Sequence, residues 1–145
     1  MSADIKDRAE ARLERAVAGG GFADPRPALR ERLRELKETR GEAFDEARRH
    51  YQQEVVPALA GEGDALSAWI DYGVWLATRT APGRVLAVDG QGSAVPYAAP
   101  PAPGTLVLHV PDDQAAGVLV LAAPAAPSAA QRATLDLLVS RKLAL

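Results

Sequence analysis

The side chains best suited to proton transfer near neutral pH are the two histidines, His50 and His109. His109 lies within the apolar run TLVLHVP, so we expect a buried ring that needs a hydrogen-bond partner. Asp89 and Asp112 stand at turns that flank the same strands, and a His–Asp pair can serve general acid–base catalysis. Because such pairs are more often structural, an enzyme that uses His109 with an aspartate is the weakest of the functions considered below.

No other residue pattern indicates catalysis or metal binding. The chain has no cysteine, which excludes thiolate nucleophiles, disulfides and cysteine-ligated metals. It has no Gly-x-Ser-x-Gly sequence, and Gly90-Gln91-Gly92 is too short for a phosphate-binding loop. Asp112-Asp113 is typical of a solvated turn. The sequence therefore predicts no catalytic residue, no metal site and no cofactor, and it favours a protein that is not an enzyme.

Both tryptophans of the chain fall in the stretch GDALSAWIDYGVWLATRT. On a helical wheel, Trp69 lies on a broad apolar arc that we expect to face the core, whereas Trp75 lies outside that arc. Asp71 and Arg79 stand four residues before and after Trp75, and if Trp75 covers a neighbouring helix we expect the Arg79 guanidinium to stack on its indole. Trp75 either covers a neighbouring helix or anchors a partner, since Trp, Tyr and Arg are enriched in binding hot spots. The predicted partner-binding residues are Trp75, Arg79, Asp71 and Tyr72.

Composition and charge narrow the classes of partner. The 145 residues are 48% hydrophobic with a net charge of −2, so no basic field is available to hold nucleic acid. No apolar stretch reaches the length of about 18 residues that a spanning helix needs, which argues against membrane insertion. The charged N-terminus has no secretory pattern, and together with the absence of cysteine it predicts a cytoplasmic location. The richness in Ala, Pro, Gly and Arg suggests a bacterial origin.

The front of the chain is predicted to be helical. Residues 1–60 contain 12 basic and 12 acidic groups, whereas residues 61–145 contain five and seven, so the charged half should be a solvated helical region. A first helix, capped by Ser2, ends at Gly19-Gly20-Gly21 and could form an arm on a glycine hinge. The apolar arc around Trp69 predicts a third helix, capped by Asp64.

A long amphipathic helix is predicted between these two, from Pro25 to about Leu59. Gly41 is a weak point within it, and Pro57 should kink or end it. A helix of this length needs a partner surface, from its own chain or from a second copy, so a homo-oligomer is plausible.

The back of the chain changes to the spacing of strands. Residues 84–98 predict a hairpin, and Thr105–Pro111 and Gly117–Ala123 predict two further strands that are apolar on both faces and therefore central. Ser128 with Gln131 three residues later predicts a capped C-terminal helix.

The predicted fold class is therefore α+β. N-terminal helices, one arm-like, one long and amphipathic and one apolar, precede a small, mainly antiparallel four-stranded sheet with a covering C-terminal helix. The predicted organisation is a helical arm with its glycine hinge at 1–21 and a single domain at 22–145, divided into a helical half at 22–81 and a sheet half at 82–145.

The order of hairpin, strand, strand and helix after Arg84 resembles the closing half of GAF or PAS-like sensory domains. This resemblance concerns element order only and implies a ligand-binding sensory function. The corresponding pocket would lie between the sheet and the apolar helix, lined by Trp69, His109, Asp89 and Tyr97, because ligand pockets are mostly apolar with few polar groups.

The charged helices and Trp75 favour a different function, a non-catalytic protein–protein interaction or assembly subunit of a bacterial cytoplasmic complex. Its partner would be another protein or a second copy of the chain. The small-ligand sensor and the His109 enzyme remain the alternatives.

Overall fold

The computed structural model describes residues 3–19 and 23–140. Within them the chain folds as α+β, with helices first, then a four-stranded antiparallel sheet and a last helix, as predicted. The helices are α1 (Ala3–Gly19), α2 (Arg26–Thr39), α3 (Gly41–His50), α4 (Val56–Ala60), α5 (Ala65–Thr80) and α6 (Ala129–Val139). The strands are β1 (Gly83–Val88), β2 (Ala94–Pro96), β3 (Leu106–Pro111) and β4 (Leu119–Ala122).

The predicted long helix is interrupted at Arg40, next to the glycine that marked its weak point. Arg40 has φ −145° and ψ 73°, which ends α2 and lets α3 begin at Gly41. Its guanidinium donates a hydrogen bond of 3.0 Å to the carbonyl of Thr80, the last residue of α5. A cation at a helix C-terminus satisfies carbonyls that have no partner within the helix. The bend is therefore fastened to α5.

Pro57 does not end the helix, and the irregularity lies in the turn before it. A π-helical turn at Tyr51–Val55 joins α3 to α4, so the chain stays helical from Gly41 to Ala60. Proline lacks an N–H and its ring crowds the carbonyl four residues earlier, here that of Gln53. The wider turn directly before the proline absorbs that conflict.

α5 has two covered sides. One side packs with α1, α4 and the π-helical turn in a helical core that includes Trp69, Tyr72 and Leu76. The other side contributes Leu66, Ile70 and Ala77 to a second core against the sheet. The predicted core arc is confirmed, because each of its members is buried: Ala65, Leu66, Trp69, Ile70, Gly73, Leu76 and Ala77.

α1 lies against the rest of the helical region. Ala9 is fully buried and Leu13 is 5% exposed, and the Arg12 guanidinium donates to the carbonyls of Leu59 (2.8 Å) and Gly63 (2.7 Å). The predicted cap Ser2 and most of the predicted hinge, residues 20–21, lie outside the described residues. The division of the chain at 21 and 22 therefore stays a prediction.

The strand order is β2-β1-β3-β4, with antiparallel pairing throughout. The expectation that both later strands are central is correct for β3 and wrong for β4, which is an edge strand. β4 is nevertheless covered on one face by α5. Just after β4 ends, the Ala123 carbonyl accepts a backbone hydrogen bond of 2.7 Å from the Ala23 N–H. This cover explains how an apolar strand can occupy an edge.

α6 covers the face of the sheet opposite α5. Ser128 and Gln131 form the predicted capping box. The buried Gln131 amide also donates to the carbonyls of Val88 (3.1 Å) and Gly104 (2.8 Å), so it ties α6 to the ends of two loops. Gly92, with φ +86°, lies so close to α6 that a Cβ would come within 2.9 Å of the Ala130 carbonyl oxygen.

Candidate functional site

An aromatic stack links the helical core to the surface at Trp75. The Trp75 and His50 rings are parallel, with centroids 3.9 Å apart and planes inclined by 4°. The Arg79 guanidinium lies over the Trp75 ring at 4.8 Å, which confirms the predicted cation–π contact. Trp75 is therefore half-buried between an imidazole and a guanidinium, and Arg79 remains exposed and approaches Glu46 at 3.6 Å.

The stack continues inward through Tyr72. Its ring lies 6.2 Å from Trp75, 5.4 Å from Tyr51 and 5.9 Å from Trp69, measured between centroids. Tyr72 is only 2% exposed, and its hydroxyl donates a hydrogen bond of 3.1 Å to the carbonyl of Ala47. Burial raises the pKa of Tyr72, so the hydroxyl remains a donor. Tyr72 thus supports Trp75 from beneath, and its own ring is not presented to a partner.

Asp71 points away from this stack. It is an exposed residue whose carboxyl faces the buried Tyr97 hydroxyl, and partial burial raises the pKa of Asp71 while the nearby hydroxyl opposes the rise. Burial and the neighbouring carboxylate together raise the pKa of Tyr97 to about 12. The Tyr97 hydroxyl makes no hydrogen bond within the described part of the chain. The structure therefore places one predicted partner-binding residue near one predicted pocket residue.

His109 is sealed within the sheet. It is 1% exposed, pairs with Val85 of β1 and Leu119 of β4, and its Nε2 has no hydrogen-bond partner among the described residues. Burial lowers the pKa of His109; hydrogen bonding to the Ala81 backbone and the nearby Asp112 oppose this only in part, and Arg32 adds to it. The ring is therefore neutral near pH 7 and has no access to solvent.

Asp89 does not supply the aspartate that His109 was expected to need. Its Oδ1 accepts from the backbone N–H groups of Gln91 (2.9 Å) and Ser93 (3.0 Å), which closes the β1–β2 turn. The four predicted pocket residues are thus not brought together: Trp69 lies in the helical core, His109 within the sheet, Asp89 in a turn and Tyr97 over α5.

A different concavity lies among the helices. It has a volume of about 470 Å³ and opens between α1, α2 and α3. We name it the helical groove; its apolar lining is Leu13, Leu33, Phe44, Tyr51, Trp69 and Tyr72, and its charged lining is Glu10, Glu14, Arg26, Arg30 and Arg48. Its aromatic floor belongs to the same stack that reaches Trp75.

The charged residues of the helical groove differ in how they are paired. The Arg26 guanidinium binds Glu14 (2.6 Å) and Asp24 (2.8 Å), and its hydrogen bond lowers the pKa of Asp24. Arg30 and Arg48 are exposed and have no carboxylate within 4 Å in the described ranges. The groove therefore offers two unengaged guanidinium groups.

Sequence reasoning did not single out Arg30 and Arg48 as a ligand site, and it did not predict the contact of His50 with Trp75. A signal was present: Phe44, Arg48 and Tyr51 follow a spacing of four and three residues and must share one helix face. That spacing shows a face but not what the face meets. The stacking of His50 on Trp75 depends on how α3 docks against α5, which no local pattern specifies.

Two other findings bear on function. Among the helices of the described ranges, none combines the length and apolar character needed to cross a membrane. Within the same ranges, no group of three or more His, Asp or Glu side chains is arranged to hold a metal ion.

In comparisons with known proteins, no family model, curated protein or solved structure matches the chain.

Proposed function

We propose that this chain is a non-catalytic protein–protein interaction or assembly subunit of a bacterial cytoplasmic complex, and that Trp75 with Arg79 anchors its partner. One observation carries the proposal. The partly exposed Trp75 ring stacks on the His50 imidazole, is contacted by the Arg79 guanidinium and rests against the buried Tyr72 ring. A rigid aromatic anchor loses little conformational entropy on binding. Tryptophan and arginine together are the residues most enriched at binding hot spots.

The partner is another protein chain, either a different one or a second copy of this one. Arg79 and Glu46 stand beside the anchor with exposed side chains and opposite charges, so they suit a polar rim around it. Asp71 belongs to the same helix but faces Tyr97, and Tyr72 acts from beneath. The contact surface is therefore expected to centre on Trp75 and Arg79 rather than on all four predicted residues.

The compartment and origin in this proposal have their support in composition alone. The chain has no cysteine, and arginine far outnumbers lysine. Both features are in keeping with a reducing compartment and with a genome rich in G and C.

A second function, small-ligand binding, is favoured by one specific observation, the helical groove of about 470 Å³. This volume falls within the range of about 300–1,000 Å³ that is usual for small-molecule sites. The groove lies among the helices, so a sensory function would use that surface, which includes Trp69 but not His109, Asp89 or Tyr97. The His109 enzyme has the least support, because the imidazole is enclosed and Asp89 is committed to its turn.

The interaction proposal is tested by native mass spectrometry of the tagged protein, purified gently from its own host. We expect a complex of defined stoichiometry, either with another protein or with a second copy. Trp75→Ala and Arg79→Glu should each abolish that complex, because one removes the anchor and the other reverses the charge beside it.

Val95→Ala is the matched control, because Val95 is an exposed apolar residue (54%) on the distant strand β2. This variant should retain the complex, and circular dichroism should show the same fold in every variant. A chain that stays alone, or a complex that survives both Trp75→Ala and Arg79→Glu, would contradict the proposal.

A further inference from the structure

We infer that the helical groove binds a small organic anion, one that carries a carboxylate or sulfonate on a flat apolar body. This inference deepens the ligand-binding alternative and is independent of the interaction proposal, because the groove and the Trp75 surface are separate.

The floor of the groove selects for a flat apolar body. The rings of Tyr51 and Trp69 meet edge to face with centroids 6.1 Å apart, and Tyr51 and Tyr72 lie 5.4 Å apart. Trp69 and Tyr72 are almost wholly buried, at 5% and 2% exposure, so they fix the floor from behind, and the rings that a ligand can reach are the half-buried Tyr51 and Phe44. Aromatic surfaces prefer offset-stacked or edge-to-face contacts with other rings. A planar apolar ligand can use that geometry without rearrangement of the protein.

The charges select for an anion. Arg26 is already bound by two carboxylates, Glu14 and Asp24, so the cations that a ligand can engage are Arg30 and Arg48, and Glu10 is the one other carboxylate of the lining. Guanidinium groups bind carboxylates through paired hydrogen bonds, and they do so most strongly beside an apolar surface that excludes water. The two arginines come from consecutive helices, α2 and α3, and both line the groove.

Tyr51 adds a neutral donor between these charges. It belongs to the π-helical turn, and a π-helical turn often marks a functional site. Burial and the nearby Glu10 raise the pKa of Tyr51, while Arg30 lowers it. The phenol therefore keeps its proton and can donate to an anion that sits beside Arg30. Its hydroxyl makes no hydrogen bond within the described ranges.

The size of the groove favours a small molecule over a peptide. About 470 Å³ holds one drug-sized ligand, whereas an extended peptide needs a longer channel or a free strand edge. The groove is flanked by α1 on one side and by α2 and α3 on the other.

The test uses 8-anilinonaphthalene-1-sulfonate, a fluorescent aromatic anion, and its neutral analogue N-phenyl-1-naphthylamine. We expect the wild-type protein to bind one sulfonate per chain in a saturable manner. The Arg30→Gln/Arg48→Gln double variant should bind it at least about tenfold more weakly, because charge-assisted hydrogen bonds are lost. Binding of the neutral analogue should change little.

The matched control is Arg15→Gln/Arg49→Gln, which removes the same charge from exposed residues that do not line the groove. It should bind the sulfonate as the wild type does. Leu33→Trp, which fills the groove, should weaken both probes. The inference is overturned by the absence of saturable one-to-one binding, by equal losses in the two double variants, or by unchanged binding in Leu33→Trp. None of these outcomes bears on the complex lost in Trp75→Ala.

Discussion

At the scale of single residues, His109 shows how burial turns a residue with catalytic chemistry into a structural one. The imidazole is enclosed in β3, and its Nε2 atom is left without a partner within the described residues. A buried polar atom of this kind costs free energy, and a charge at the same place would cost more. The protein therefore holds the ring neutral, and this has a consequence for its stability at acid pH.

We predict that the free energy of unfolding falls as the pH is lowered below 6.5, the ordinary pKa of histidine. The pKa of His109 is lowered in the folded state, so between that value and 6.5 the unfolded chain binds more protons than the folded one. Stability then rises with pH in this window, by at most about 1.4 kcal/mol per pH unit. Urea denaturation at pH values from 5 to 7 measures the slope.

His109→Leu removes the titrating group, so its slope between pH 5 and 6.5 should be nearly flat whatever its absolute stability. His50→Gln keeps His109 and should retain the slope of the wild type. An identical slope in wild type and His109→Leu would show that other groups control the acid response.

Two glycines with positive φ provide a second prediction at this scale. Gly92 (φ +86°) and Gly104 (φ +82°) both occupy the left-handed region, where a side chain costs about 1–2 kcal/mol. A Cβ at Gly92 would also meet the Ala130 carbonyl oxygen at 2.9 Å, whereas one at Gly104 would meet nothing within 4 Å. Gly92→Ala should therefore lower the free energy of unfolding more than Gly104→Ala, as measured by urea denaturation. Equal losses would mean that backbone strain alone decides both positions.

The residue scale also shows which contacts a sequence can predict. Trp75 and Arg79 are four residues apart on one helix, so helix geometry alone places them together. His50 reaches Trp75 only through the packing of α3 on α5, and its 3.9 Å stack was therefore not foreseen. For the same reason Asp89 was considered beside Asp112 as a partner of His109, although a local turn satisfies the Asp89 carboxylate first.

At the scale of elements, α6 is fastened to the β1–β2 hairpin through polar groups. The Gln131 amide donates to the carbonyls of Val88 and Gly104. Ser128 Oγ donates to the Gly90 carbonyl (2.7 Å), and Thr134 Oγ1 donates to the Gly92 carbonyl (2.8 Å). Of these residues Gln131 is the most buried, at 1% exposure. Its removal would leave the carbonyl of the fully buried Val88 without this donor, whereas Gly104 is exposed and its carbonyl can turn to water.

We predict that Gln131→Leu lowers the free energy of unfolding by about 2–4 kcal/mol, because the unsatisfied buried Val88 carbonyl costs about 1–3 kcal/mol and the capping-box bond from the Ser128 N–H is lost as well. Ser128→Ala should cost about 1 kcal/mol, the usual value of an N-cap residue, since its other contact is exposed. Urea denaturation of both variants gives the comparison. A Ser128→Ala loss as large as that of Gln131→Leu would show that the cap, and not the buried amide, fastens α6.

Elements with strong local signals were predicted well. Asp64 caps α5 through the Leu66 N–H, and the capping box opens α6 at the expected residue. The prediction failed where the outcome depended on neighbours. The break at Arg40 is fixed by a hydrogen bond to Thr80, and the apolar β4 lies at an edge because α5 covers it. Apolar composition shows that a strand is covered, but it does not show its place in the sheet.

At the scale of the whole molecule, α5 is the layer that the helical half and the sheet half share. It separates a helical core, to which Tyr72 and Trp69 belong, from the core against the sheet, to which Ile70 belongs. This position explains why its sequence is apolar around most of its circumference. Trp75 and the helical groove, the features suited to binding, lie in the helical half. In the sheet half, the Asp89 and Gln131 side chains are used in a turn and a helix cap.

The same layered packing predicts that α1 unfolds together with the domain. Leu13 is 5% exposed in the helical core, so Leu13→Ala should lower the free energy of unfolding by about 2–5 kcal/mol. Leu137→Ala, at a leucine that is 41% exposed on α6, is the matched control and should cost far less. Native-state hydrogen exchange should give the α1 amides a protection close to that of α5. Rapid exchange confined to α1, with an unchanged unfolding midpoint in Leu13→Ala, would instead identify residues 1–21 as the separable arm that the glycine triplet suggests, since an arm that contributes no shared core can open without cost to the rest.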